Sequence, residues 1–163
     1  MRKGRYLALA LALAIVGVAA WVHAQGRSSK APSAQDYVEI QQLYARYNHA
    51  IDSGDAEAWA GTFTPDGTFN KSSGHDALVA FVHNWVEKMN GGSRRHWNTN
   101  LLITPTPEGA TGAVYLFLLD ISAKPPAIAG AARYDDVLVK TAQGWRFKSR
   151  ATKGESAPKP TAQ

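Results

Sequence analysis

The chain of 163 residues contains no cysteine. That excludes a disulfide framework, a thiolate nucleophile and any Cys-ligated metal site, so a fold must rest on its core alone. Five Trp, six Tyr and five Phe are the material for such a core. No glycine-rich loop follows a strand-like segment, which leaves nucleotide binding without support, and no segment repeats. Positive charge is scarcer than the overall +5 suggests. Three of the 18 basic residues (Arg2, Lys3 and Arg5) fall within positions 1–24 with no acid beside them, leaving 15 basic against 13 acidic residues, a net +2. So weak a balance gives no ground for a nucleic-acid partner. Long apolar runs are absent too, apart from Leu7–Ala20, which falls short of the roughly 20 residues of a membrane span.

That run has the layout of an export signal. Arg2, Lys3 and Arg5 precede it, and Val22-His23-Ala24 follows with small or short residues. The expectation is a signal peptide over 1–24 cut after Ala24, no stable membrane span afterwards, and a periplasmic or secreted location; an uncleaved anchor is the alternative. No Arg-Arg pair indicates a twin-arginine route, and no Cys follows the run for lipid attachment. The remaining 139 residues suffice for one domain with one substantial core. They divide into a polar linker at 25–32, a domain at 33–152 and a tail at 153–163. The tail has two Pro and no large apolar side chain, so it is expected to be disordered.

Within the domain, Ser33 reads as a helix N-cap with Asp36 at the capping-box position. Tyr37, Ile40, Tyr44, Tyr47 and Ile51 then recur at helical spacing, predicting an amphipathic helix over 34–52. Ser53-Gly54 stops it, and Asp55 caps a short second helix through Ala56, Trp59 and Phe63. Thr64-Pro65-Asp66-Gly67 reads as a turn, Thr68–Lys71 as a brief strand, and 76–89 as a helix with Leu78, Phe81, Val82, Trp85 and Met89 inward. After Asn90-Gly91-Gly92-Ser93 the period changes, predicting strands near 94–104, 110–122, 131–141 and 145–152. Helices followed by consecutive hairpin-linked strands make an α+β layout, about three helices packed on one face of a curved mixed or antiparallel sheet. Trp59, Phe63, Trp85 and Trp145 are expected in the core. Arg94-Arg95 and Arg146/Lys148/Arg150 are expected on solvated strand faces, helping at most to hold an acidic group.

Tyr44, Asn48 and Asp52 lie four apart and so share one helix face. His96, Asn98 and Asn100 alternate with Trp97, Thr99 and Leu101, so their side chains leave one side of a strand. Each observation has a plainer reading. Asp52 at a helix end is able to bond local backbone N–H groups, polar alternation often marks a solvated sheet face, and tyrosines at helical spacing are more often core than functional. His49, Asp52 and His96 are three ligands that would suffice for zinc, yet no dense ligand motif is present, and no metal is expected.

Tyr44-Ala45-Arg46-Tyr47-Asn48-His49-Ala50-Ile51-Asp52-Ser53-Gly54-Asp55, continuing through Trp59 and Phe63-Thr64-Pro65-Asp66-Gly67, resembles the opening of SnoaL-like domains of the nuclear transport factor 2-like superfamily. Arg95-His96-Trp97-Asn98-Thr99-Asn100 resembles that family's third-strand segment. Tyr134-Asp135-Asp136, with Gly144-Trp145-Arg146-Phe147 and Arg150, resembles its closing hairpin. The resemblance implies a cone-like domain enclosing a pocket for a small, mostly apolar molecule, and dimerisation through the open sheet face. In the scytalone dehydratase branch an Asp of the first helix-turn and a His of the third strand serve the chemistry; by position these are Asp52 and His96. Ile51 stands where that branch has a tyrosine, no second histidine is matched, and the later strands lack its polar residues. These departures argue against scytalone dehydratase activity itself.

A His–Asp pair beside an apolar pocket supports dehydration, enolisation or ring closure without a cofactor, because the carboxylate fixes the imidazole tautomer and raises its basicity. Tyr44, Tyr47 or Tyr115 are candidate donors to a developing oxyanion, assisted by Asn98 or Asn100, and Asn48 joins them as a candidate substrate-binding residue. Three functions stay open: a cofactor-independent lyase or isomerase acting on a small hydrophobic carbonyl compound, a non-catalytic binding module using the same pocket, and a structural role as a homodimer or higher oligomer.

Overall fold

The computed structural model describes residues 32–154. The expected signal peptide, all of the linker but Pro32, and the tail beyond Gly154 lie outside the described residues. Helix α1 (Ala34–Ser53) starts as its sequence requires: the Ser33 hydroxyl accepts from the Asp36 N–H while the Asp36 carboxylate accepts from the Ser33 N–H. It ends at Gly54, whose φ of 75° is the left-handed conformation glycine adopts without a side-chain clash. Asp55 caps the short α2 (Ala56–Ala60) through the Ala58 N–H. Strand β1 (Phe63–Phe69), the two-residue β2 (Ser72–Ser73) and helix α3 (His75–Lys88) follow. Beyond a 3-10 turn at Gly91–Ser93 come β3 (Arg94–Thr106), β4 (Gly109–Asp120), β5 (Ala127–Thr141) and β6 (Gly144–Gly154).

The six strands form one curved, open, mixed sheet in the order β2-β1-β6-β5-β4-β3, with the three helices packed on it. β3 to β6 run as an antiparallel meander, whereas β1 lies parallel to β6. The expected turn at Thr64–Gly67 sits inside β1 rather than before it. Pairing jumps from Phe63↔Phe147 to Thr68↔Ser149, so the four residues between bulge out of the ladder.

The space between α1, α3 and the sheet is filled by rings. Trp59, Tyr47 and Phe147 are buried, with Tyr47 5.2 Å from Trp59 and 5.5 Å from Phe147, and Phe81 stacks on Trp59 at 5.4 Å. Without a disulfide, this aromatic centre is what the small domain relies on. Leu78, Val82 and Trp85 face it from α3 as expected, but Met89 lies past the helix end and is half exposed.

A polar clasp ties the start of α1 to the β5–β6 hairpin. Asp36 accepts from Lys140 Nζ at 2.6 Å and from Trp145 Nε1 at 2.9 Å as well as from Ser33. The Lys140 bond first, then those of Trp145 and Ser33, hold its carboxyl far below the usual carboxylate range. A depressed folded-state value means that the stabilisation is complete above the ordinary carboxylate value of 3.8 and fades as the pH falls below it. Asp36→Asn is therefore expected to melt earlier than wild type at neutral pH, with the gap narrowing in acid; melting curves over a pH series check this.

Candidate functional site

The sequence places Asp52 and His96 on two elements that pack together, the last turn of α1 and the start of β3. Their side chains meet directly: His96 Nδ1 lies 2.6 Å from Asp52 Oδ1. The His96 N–H also donates to both carboxylate oxygens, at 3.2 and 3.1 Å. Asp52 thus does not cap its own helix; it fixes both the backbone and the ring of His96. One turn earlier, Asn48 Nδ2 donates to the His96 carbonyl at 3.3 Å, and Asn98 Nδ2 donates to Asn48 Oδ1 at 3.3 Å. The Arg95 guanidinium donates to the Asp52 carbonyl at 3.4 Å. With Nδ1 taken up by Asp52, the other ring nitrogen of His96 has no hydrogen-bond partner among the described residues.

Two spaces adjoin this pair. A cavity of about 310 Å³ lies inside the cone, walled by apolar side chains including Ile51, Phe81, Trp85, Leu116 and Leu118, with Tyr47, Tyr134 and His96 as inner polar groups. Its volume is at the small end of sites for organic molecules. The Trp85 ring lies 5.7 Å from the His96 ring and helps to hold it against this space. A wider groove of about 1190 Å³ runs outside, between α1 and β3, bordered by Tyr44, Asn48, His49, Asp52, Asn98 and Asn100 among others.

The residues singled out from the sequence therefore separate. Asp52 and His96 come together. Tyr47 reaches the cavity, while Tyr44, Asn48, Asn98 and Asn100 border the groove. Asn100 has a φ of 56°, at the point where the β3–β4 register shifts, so the strict alternation from His96 ends there. Tyr115 is a correction. Val114 and Leu116 point into the core, so Tyr115 between them faces outward, is 44% exposed, and borders neither space. His49, exposed on the groove side, does not join Asp52 and His96, and no metal-holding group of three appears among the described residues.

Arg150 is the larger correction. Expected on a solvated face with Arg146 and Lys148, it is 1% exposed. The cause is a bulge: Val137 pairs with Ser149 but Leu138 with Phe147, so Lys148 is an extra residue that reverses the alternation. Phe147 and Arg150 both point inward as a result. Arg150 makes a two-pronged ion pair with Asp136, Nε–Oδ1 2.7 Å and Nη2–Oδ2 2.8 Å. Its guanidinium carbon sits 4.1 to 4.7 Å from the ring centroids of Phe147, Tyr47, Tyr134 and Tyr44. The Tyr44 hydroxyl donates to Asp136 in a short bond. Burial, then the Asp136 charge, drives the Tyr44 hydroxyl well above the usual phenol range, and burial pushes Tyr47 up to about 12. Arg150 stays charged: burial opposes its charge, and the Asp136 carboxylate overrides that opposition. Both tyrosines are neutral donors at physiological pH, and Tyr44 is already committed.

Gly112, opposite Asp136 on β4, makes room for Tyr44: a Cβ there would stand 2.0 Å from the Tyr44 hydroxyl. Gly112→Ala is expected to destabilise the domain by about 1–3 kcal/mol through overpacking. Adding Tyr44→Phe, which deletes the clashing oxygen, should return part of that loss in urea unfolding.

Residues 32–151 match the family model described as a SnoaL-like domain. Among solved structures, a protein of unknown function from Mycobacterium tuberculosis is 30% identical, with 74% of this chain and 72% of that one covered and a TM-score of 0.66. A Catenulispora acidiphila structure in complex with S-DNPA is also 30% identical, with 74% and 95% covered and a TM-score of 0.64. A nuclear transport factor 2-like protein with a cystatin-like fold, from Novosphingobium aromaticivorans, is 21% identical over 77% and 85% with a TM-score of 0.69, a likeness of fold. No curated protein matches the chain.

Proposed function

Because the chain belongs to the SnoaL-like domain family, we propose that it is an exported, cofactor-independent lyase or isomerase of a small hydrophobic carbonyl compound. The reading is carried by one observation: the His96 ring is held by Asp52 at 2.6 Å while forming part of the wall of an apolar cavity. An imidazole so oriented has one nitrogen occupied by a carboxylate and the other free to take a proton beside a carbonyl, or to give one to a departing hydroxyl. Tyr47, neutral and buried beside the same cavity, is the candidate donor to the oxygen that gains charge. Apolar walls exclude water and strengthen both interactions. Export rests on the Arg2–Ala24 pattern, and N-terminal mass analysis should find the mature protein beginning at Gln25.

A panel of small hydrophobic ketones and aldehydes in D2O tests the chemistry. Deuterium entering at the carbon beside the carbonyl, read by mass spectrometry, is the expected result. The complex of the Catenulispora acidiphila relative with S-DNPA favours a second reading, carriage without chemistry. Compounds that bind without exchange or loss of water would establish that reading and reject the first. Self-association is proposed through the outer sheet face, where Leu102, Tyr115 and Val137 are exposed on β3, β4 and β5.

A further inference from the structure

His96 forms part of the wall of both spaces, whereas Asp52 borders only the outer groove. Of the two side chains Asp52 is the more accessible, 16% against 7% for His96. The pair therefore bridges an apolar interior and a wet exterior, with the carboxylate on the wet side. The groove around it is rich in hydrogen-bonding groups, among them Asn48, His49, Ser53 and Asn98. The inner route to solvent is different in kind. The cavity reaches exposed residues at Asn70, Met89 and Thr152, and a proton leaving that way would cross walls of Tyr47, Ile51, Phe81 and Leu116.

We infer that Asp52 is a proton port, through which His96 exchanges its Nδ1 proton with water in the groove while the inner cavity is occupied. This rests on the reading of His96 as the acid/base group. In the outward step the Nδ1–H bond of the imidazolium breaks and an O–H bond forms on Asp52 Oδ1. The carboxyl then gives that proton to a groove water. The carboxylate is restored, and the imidazole is left neutral with its remaining proton on Nε2. The inward step is the reverse, with water as the only co-reactant. A bound molecule then takes the Nε2 proton as the inward step returns one to Nδ1, which restores the form whose Nε2 accepts, so the cavity does not have to empty between proton transfers. Asp52 acts here through His96 and is a positioning and relay residue.

The test is the solvent-exchange rate of the His96 Nδ1 proton, measured by NMR on protein labelled with 15N in its imidazoles. His49 lies three residues before Asp52 on α1, exposed beside the groove. His49→Trp covers the carboxylate from that side, with Ala45→Phe as a second covering variant should the first disturb the helix. Gly130→Phe obstructs the cavity instead, at a position where a Cβ meets nothing within 4 Å. Exchange is expected to slow severalfold in the groove variants and to keep its wild-type rate in Gly130→Phe. Slowing in Gly130→Phe alone, or equal rates in all three proteins, overturns the port. If exchange ignores the groove while carbonyl compounds still turn over, the port falls and the acid/base reading stands. Groove-controlled exchange in a protein that turns over none leaves the port and removes the enzyme.

Discussion

Asp136→Ala is expected to destabilise the domain by about 3–5 kcal/mol, the cost of leaving one partner of a buried ion pair alone. Arg150 would remain charged among Phe147, Tyr44, Tyr47 and Tyr134 with neither of its carboxylate bonds. Tyr44 would lose its acceptor in the same stroke. Set against a total stability of about 5–15 kcal/mol, that is enough to unfold much of the population at moderate temperature. The magnitude comes from the stranded charge and not from the pair itself, so replacing both members should behave differently. Asp136→Leu combined with Arg150→Met removes both desolvation costs and is expected to be far milder than either single change. Urea unfolding of the singles and the double makes the comparison. Singles that cost under about 1 kcal/mol would mean that water reaches the pair.

His96→Gln is expected to lower turnover of a carbonyl substrate by about 10²–10⁴-fold, the usual contribution of a positioned acid/base group. Glutamine offers an amide N–H to Asp52 and keeps the backbone N–H that both carboxylate oxygens accept, so the fold should be little affected. Melting temperature and deuterium incorporation measured on the same preparation separate the two effects. Unchanged incorporation would move the chemistry away from this pair, and a parallel loss of melting temperature would make His96 a structural residue.

Local chemistry made most of the fold readable from the sequence. The Ser33/Asp36 box, the αL glycine after Ser53 and the change of period after Asn90-Gly91-Gly92-Ser93 each act over a few residues, and their elements lie where those signals put them. The pairing of Asp52 with His96 was readable in part, since helix spacing and strand alternation name a face without naming its partner. Arg150 was not readable. Its burial depends on an unpaired Lys148, and a bulge is a property of two strands in register that a single strand's pattern does not carry. Tyr115 failed for a related reason: donor chemistry marked it, while the parity set by Val114 and Leu116 turned it outward. The separation of inner cavity from outer groove was invisible for the same cause, because Tyr47 and Asn48 are chain neighbours on α1 that open onto different spaces.

Helix α1 is bonded to the sheet at every fourth residue, by Tyr44 to Asp136 on β5, by Asn48 to the His96 carbonyl and by Asp52 to the His96 ring. Sliding the helix by even one residue would break all three at once, so this wall of the cavity is stiff. Compliance is left to the part of the rim where Met89 follows the end of α3 and Gly130-Ala131 carry almost no side chain. A guest somewhat too large for the resting volume would be met by movement at that rim, with the bonds between Asp52 and His96 left in place. Differences in guest size are then absorbed at the entrance, and the distance between imidazole and carboxylate stays the same for all of them.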